Sequence, residues 1–330
     1  MRNRYLTILL LAASLAAKKK NPDELVTQTL ELPKDPPQVA VGETRRLVFH
    51  VTPLSGKGLL SQQTRDALKV VLKESGGAPV IHIRAFVAGS GDIRRVPQIV
   101  SEAFSEKKLP LPSVSVVLAG GLPLDNAQVV LESVWQAKRD VNPDGLDFIA
   151  GEESTAPDPA ASPKPLLEKT LDRLAAKMPR GAALQVSCFV GTMSNPAELT
   201  ALIAARFPSA AVDLVQTQRA PYEALANCEA VARGHRVTAA RLAFTGTRVA
   251  FGAQEKDAGL AFQRLDRDLT DAGAAPADIV FTNIYPLSRE AADMVRKIRP
   301  AAAPMTMVPF EGLAAIDAGF AADAIAAVSR

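Results

Sequence analysis

Apolar and polar residues along this chain alternate between two periods, and the order in which the periods change repeats itself. Residues 59–76, LLSQQTRDALKVVLKESG, bring Leu60, Thr64, Ala67, Leu68, Val71 and Leu72 to one face at helical spacing, with Gly76 as a stop. In IHIRAFVAG the period drops to two: Ile81, Ile83, Ala85 and Val87 alternate with His82, Arg84 and Phe86, as in a strand with two different faces. A second helix is predicted over 93–106, a strand over Ser113–Val117 within LPLPSVSVVLAGGLP, and a last strand in AQVVLESVW. After RDVNPD the same order returns: strand LDFIAG, helix 164–177, strand LQVSCFVG, helix 196–206 and closing strand ANCEAVAR. It returns again as strand-like RLAFTGTRVAF, helix 258–273, strand VFTNIYPL, helix 289–298 and closing ADAIAAVSR.

Fixed points recur in step with the pattern. The closing strands carry Glu132, Glu229 and Asp323, and the middle strands carry Phe86, Phe189 and Tyr285, each set roughly a hundred residues apart. Three degenerate copies of one α+β unit are therefore expected, over residues 38–138, 144–236 and 238–330. A sheet backed by two helices on one face needs cover on the other. Three such sheets can cover one another by closing into a pseudo-threefold barrel, so that one chain does the work of a trimer and needs no second copy.

Composition narrows the function classes. With 48% hydrophobic and 22% charged residues among 330, the chain has the makeup of a soluble globular protein. A net charge of +3, with no basic stripe and no interleaved aromatics, gives no footprint for nucleic acid. Two cysteines, Cys188 and Cys228, are too few for a zinc cluster; they can pair or stay as buried thiols. No cofactor or metal is expected. The start, MRNRYLTILLLAASLAAKKK, sets Arg2 and Arg4 before an apolar run too short to span a bilayer comfortably, the pattern of a secretory signal. Residues 1–17 are read as that signal and 18–37 as an N-terminal segment, giving a periplasmic or secreted protein with no membrane contact after cleavage; a retained anchor is the alternative.

The motifs also resemble a family. QTRDALKVVL from Gln63, LPSVSVV with GGLP and VVLES in the first copy, RFPSAAVDLV and CEAVAR in the second, and AFTG, AFQRLDRDLTDAG and DIVFTNIYPLS in the third are similar to the RidA/YjgF (endoribonuclease L-PSP) pattern. That resemblance implies a chorismate-mutase-like fold with small-molecule clefts where neighbouring sheets meet. It also implies hydrolysis of 2-imino or enamine acids by an arginine that clamps the carboxylate and a closing-strand glutamate that places water. The glutamate is matched by Glu132 and Glu229, the candidate catalytic residues. The arginine is not: alignment puts Pro112, Ala210 and Met305 in its place. The resemblance thus implies a diverged binder of small carboxylates or imines, with an active deaminase on substitute anchors as the alternative and a ribonuclease last. Candidate ligand-binding residues are Arg84, which shares its strand position with Ser187 and Asn283, and His50 nearby; Ser55 and Gly56 in a turn before the first helix; and Thr245 and Gly246 at the family's Ser-Gly turn. The Ser55–Gly56 stretch also reads as a plain turn with Ser61 as N-cap.

Overall fold

In the computed structural model, residues 39–43, 47–89, 93–137, 145–179, 181–218, 222–234, 241–252 and 254–328 are described. The signal and segment expected over 1–17 and 18–37 lie outside them. The first third contains β1 (Val39–Glu43), β2 (Leu47–Val51), α1 (Leu60–Glu74), β3 (Val80–Ala88), α2 (Arg95–Glu106), β4 (Ser113–Ala119) and β5 (Val129–Gln136). The second contains β6 (Gly145–Ala156), α3 (Pro163–Ala176), β7 (Ala183–Val190), α4 (Pro196–Arg206), β8 (Ala211–Gln216) and β9 (Ala224–Arg233). The third contains β10 (Arg241–Phe244), β11 (Arg248–Phe251), α5 (Glu255–Asp271), β12 (Ile279–Pro286), α6 (Arg289–Ile298), β13 (Met305–Met307), β14 (Gly312–Leu313) and β15 (Ala318–Val328).

Each third builds one mixed sheet, and the pairing is the same in all three. The orders β2-β5-β3-β4, β6-β9-β7-β8 and β10-β15-β12-β13 each place the closing strand antiparallel between the first and middle strands, with the fourth strand parallel to the middle one. The sheets also exchange edge strands. β1 pairs with β6, and β14 pairs with β8, so the second sheet is extended at both edges by residues from the other two thirds.

Helix ends follow local chemistry. Chain reversal after α1 uses Gly76 and Gly77 at φ 57° and 83°, a region that only glycine enters without steric cost. The side chains of Asn195 and Ser288 accept from the backbone N–H groups of Glu198 and Ala291 at the starts of α4 and α6. At α1 the expected Ser61 cap is not used: the N-cap is Leu59, two residues earlier, and Ser61 lies within the first turn of the helix.

Among the described residues, five apolar clusters hold the fold. Three lie between a sheet and its own pair of helices, with Leu68, Val71, Ile99 and Phe104 in the first, Leu167, Leu171, Leu199 and Ile203 in the second, and Phe262, Leu265, Leu269 and Val295 in the third. The other two lie on the opposite faces, where the sheets meet. One gathers Phe86, Phe189, Tyr285 and Phe310, and the other Leu47, Phe49, Phe148, Phe281 and Ile325. Each helix's apolar stripe thus serves its own sheet, and the alternate strand positions serve the assembly of the three.

Candidate functional site

The strand period explains what lies between the two inner clusters. Along β5, Val130 belongs to the first and Val134 to the second; along β15, Ala321 and Ile325 do the same. The residue between them on that face is Glu132 in one strand and Asp323 in the other, so a polar layer is sandwiched between two apolar ones. Register fixes its membership. Arg84 stands opposite Glu132 and Ser115, Ser187 opposite Glu229 and Asp213, and Asn283 opposite Asp323 and Thr306. All nine are buried, none more than 7% exposed.

Arg84 organises this layer. Its Nη1 reaches Glu132 Oε2 at 3.0 Å, and its Nε and Nη2 both reach Glu229 Oε1, joining the first sheet to the second. The remaining acids are held by neutral donors. Asp213 Oδ2 accepts from Gln185 Nε2 at 2.8 Å and Ser187 Oγ at 2.9 Å; Asp323 accepts from Asn283 Nδ2 at 2.9 Å and Tyr285 Oη at 2.8 Å.

Burial without full charge compensation shifts these groups. Desolvation pushes Glu132 up to about 7 against the pull of Arg84, and Asp323 up to about 6 against its two donors. It holds Asp213 well above the carboxylate range, helped by the nearby charge of Asp323. Glu229 is also desolvated, yet Arg84 and then His82 outweigh this and keep it below the usual value. His82, whose Nδ1 is 2.8 Å from Ser113 Oγ, is brought down to about 4 by burial and is neutral.

The sequence-derived candidates sort into two groups. Arg84, Glu132 and Glu229 come together as one ion-paired unit. Thr245 stands beside the same layer, its hydroxyl accepting from Ala324 N–H at 2.9 Å next to Asp323. Gly246 packs on the second sheet, where a Cβ would lie 2.7 Å from the Val212 carbonyl oxygen. His50 does not join them: it pairs with Ser133 on the helix-facing side of its sheet, with its ring 5.2 Å from that of Trp135. Ser55 and Gly56 also lie apart. Ser55 Oγ accepts from Lys57 N–H at 3.3 Å, and Gly56 is pressed so closely on the Asp125 carbonyl that a Cβ would sit 2.4 Å from it.

Pro112 and Ala210 hold equivalent places, each one residue ahead of its parallel strand. In the third sheet, however, Thr306 is the residue opposite Asn283, so the equivalent place is Ala303 and not Met305. No side chain at these three places can clamp a carboxylate. Sequence reasoning missed Asp213 as a member of the layer; the signal was an aspartate in the middle of the apolar strand AVDLVQ.

The three seams between sheets are not alike. At the first, Gly151 N–H donates to Ser115 Oγ at 3.1 Å and Asn227 Nδ2 to the Val116 carbonyl at 3.1 Å. At the second, Thr247 N–H reaches the Val212 carbonyl at 3.3 Å beside Gly246. Both are places where the chain bulges past its acid; at the third seam Val51 is paired directly with Glu132. A pocket of about 410 Å³ opens there, between Val51, Thr52, Leu54 and Val130 of the first sheet and Met305, Thr306, Met307 and Val308 of the third. Arg296 and Arg299 stand at its edge. Arg299 is fixed by both oxygens of Asp266 and by the Phe262 ring, whereas Arg296 is half exposed and, among the described residues, bonded only to Asp293 on its own helix, at 2.6 Å.

No protein-family model and no curated protein sequence matches this chain. Among solved structures, a chorismatase matches over 85% of this chain and 98% of its own, at 11% identity and a TM-score of 0.51, which shows a shared fold. A cyanuric acid hydrolase from A. caulinodans matches over 86% of this chain and 100% of its own, at 12% identity and a TM-score of 0.41. A member of the YjgF/YER057c/UK114 family from Mycobacterium tuberculosis matches 26% of this chain and 79% of its own, at 26% identity and a TM-score of 0.23.

Proposed function

We propose that this chain is a single-chain, RidA/YjgF-like small-molecule-binding protein, with repeats over 38–138, 144–236 and 238–330 closing about a pseudo-threefold axis. Its ligand is a small, largely apolar carboxylic acid bound at the seam between the third and first sheets. The observation that carries this reading is the 410 Å³ pocket, within the range of about 300–1,000 Å³ common for small-molecule sites. Its walls are apolar, and it has a cation at its mouth that is free to turn. Arg296 gives up only a surface pair with Asp293, worth roughly 0.5 kcal/mol, to meet a ligand carboxylate. It supplies from α6 the charge that Pro112, Ala210 and Ala303 do not.

Calorimetric titration with a panel of short aliphatic and aromatic carboxylates tests this. Binding that is lost in Arg296→Ala and kept in Arg289→Ala supports it; equal affinity in both variants refutes it.

Catalysis on an imine or enamine acid is the second reading, favoured by one observation. Glu132, pushed up to about 7 by burial, stands behind Thr306, which lines the pocket, and a group of that pKa is suited to moving protons. Ammonia release from freshly generated iminopyruvate, absent in Glu132→Gln, is the expected result; a rate no faster than buffer removes it. Export by cleavage of residues 1–17 belongs to the same proposal and is supported by the Cys188–Cys228 disulfide, a bond that persists in oxidising compartments. Sequencing the mature N-terminus checks it. A monomer by light scattering is expected for the pseudo-threefold closure; a stable trimer of chains would overturn it.

A further inference from the structure

A second, smaller cavity of about 40 Å³ lies on the other side of the polar layer, deep between the three sheets. Its floor is Arg84, Glu132, Glu229, Gln185 and Asn283; its walls include the rings of Phe49, Phe148 and Phe281. Three of these lining residues each carry a buried side-chain oxygen with no hydrogen-bond partner among the described residues, Glu132 Oε1, Glu229 Oε2 and Asn283 Oδ1, and the three residues are 6%, 4% and 3% exposed. We propose that this chamber binds a small primary ammonium cation, ammonium itself or methylammonium, on those three oxygens.

Three independent features select that chemistry. Every free atom just named is an acceptor, so the occupant must bring donors; leaving buried acceptors unmet costs about 1–3 kcal/mol each. The charges do not balance: one guanidinium faces two glutamates on the floor, and His82 beside them is neutral, so one positive charge is missing when both acids are ionised. The walls favour a cation as well. Aromatic residues line it: Phe49 and Phe281 lie 5.6 Å apart by ring centroids and Phe148 lies 5.3 Å from the His82 ring, a wall against which a desolvated cation is stabilised.

Size sets the upper bound. A water-sized occupant needs about 10–15 Å³ by the same measure, so 40 Å³ holds an ion of one or two heavy atoms and shuts out a quaternary amine. A metal ion fits less well, since no group of three or more histidine, cysteine or acidic side chains at metal-binding spacing occurs among the described residues. A proton on Glu132 is the alternative way to supply the missing charge, so proton and cation compete.

The test uses the full chain at pH 8 and constant ionic strength, following the thermal midpoint and calorimetry with the chlorides of ammonium, methylammonium, sodium, potassium and tetramethylammonium. Saturable stabilisation by the first two alone is expected, with half-saturation moved at least tenfold upward in Glu132→Gln. Equal shifts from all five salts, potassium matching ammonium, or an unchanged response in Glu132→Gln each overturn the proposal. Should Glu132→Gln fail to fold, Phe148→Leu carries the test. It keeps the apolar wall but removes a π face, and severalfold weaker ammonium binding is expected; unchanged binding overturns the proposal.

Discussion

Arg84→Met removes the guanidinium that Glu132 and Glu229 both touch and leaves an apolar chain of similar length in its place. Both acids are then buried with no counter-charge beside them. Breaking a buried pair from one side costs about 3–5 kcal/mol, and two partners put this change at the upper end, about 5 kcal/mol at pH 8. The loss has a signature that simple mispacking lacks. Without Arg84 both carboxyls have raised folded-state pKa values, so stability is regained as pH falls and they take up protons. Each unit of pKa is worth about 1.4 kcal/mol, so one carboxyl protonating over the 2.5 units between pH 8 and 5.5 recovers about 3 kcal/mol and leaves a deficit near 2. Urea denaturation of parent and variant at both pH values measures this. A triple variant that adds Glu132→Gln and Glu229→Gln should return most of the loss at pH 8, because no charge is then left unpaired. A deficit below about 1 kcal/mol at pH 8, or one equal at the two pH values, would refute the reading of Arg84 as the charge that holds two sheets together.

Parent stability should also depend on pH. Glu132 at about 7 and Asp323 at about 6 lie above their unfolded values, so their contribution is full below about pH 4 and lost as pH rises to 7, whereas Glu229, lowered, loses its contribution only as pH falls below its unfolded value, and His82, lowered to about 4, opposes the two acids by about 2 kcal/mol at pH 5; Glu132 alone contributes about 3 kcal/mol, so the urea midpoint should be higher at pH 5 than at pH 8 by the surplus. The Cys188–Cys228 disulfide closes a loop of 40 residues' separation, for which chain entropy gives about 4 kcal/mol, so the paired Ala variant should melt well below the parent, and reductant should lower the parent's midpoint towards it. Gly246→Ala should cost about 1–3 kcal/mol by calorimetry, since its Cβ would lie 2.7 Å from a backbone oxygen that cannot rotate away. Arg296→Ala, on an exposed helix face, should change stability by less than about 0.5 kcal/mol, so any loss of ligand binding is local.

Much of the architecture is legible in hydrophobic period alone. Helices over 196–206 and 289–298 begin and end where the pattern places them, because Asn195 and Ser288 cap them and apolar spacing stops with them. What is hidden lies at the seams. β13 has three residues and follows RPAAAP, which carries no alternation to set its register, so the place equivalent to Pro112 and Ala210 falls at Ala303, two residues before the Met305 that the sequence suggests. β1 and β14 pair with the second sheet, a choice of partner that local pattern cannot encode. The polar layer was half visible: Arg84, Ser187 and Asn283 share a strand position in the sequence, and so do Glu132, Glu229 and Asp323. That they face one another across three sheets is a tertiary fact, and it is why Arg84, legible as a ligand anchor, is also held by two glutamates.

The unequal composition of that layer has a physical logic. Were the three sheets identical, each with an arginine and a glutamate at this register, three guanidiniums would converge where the sheets meet, with only three acids to separate them. Here one position is Arg84 and the others are Ser187 and Asn283, so one guanidinium spans two glutamates while Asp213 and Asp323 are satisfied by Ser187, Gln185, Asn283 and Tyr285. Neutral donors can neutralise a buried acid only in part, which is why both aspartates sit above their ordinary pKa while Glu229, against Arg84, sits below. Glu132 is the member left between these two conditions. It receives one bond from Arg84 and keeps one oxygen free, so it titrates near neutrality, and it stands between the small chamber on one side and Thr306 with the larger pocket on the other. A change of charge on this one carboxyl is therefore felt at both cavities. Occupancy of either should shift the Glu132 pKa in a measurable direction: down when a cation enters the chamber, and up when a carboxylate enters the pocket.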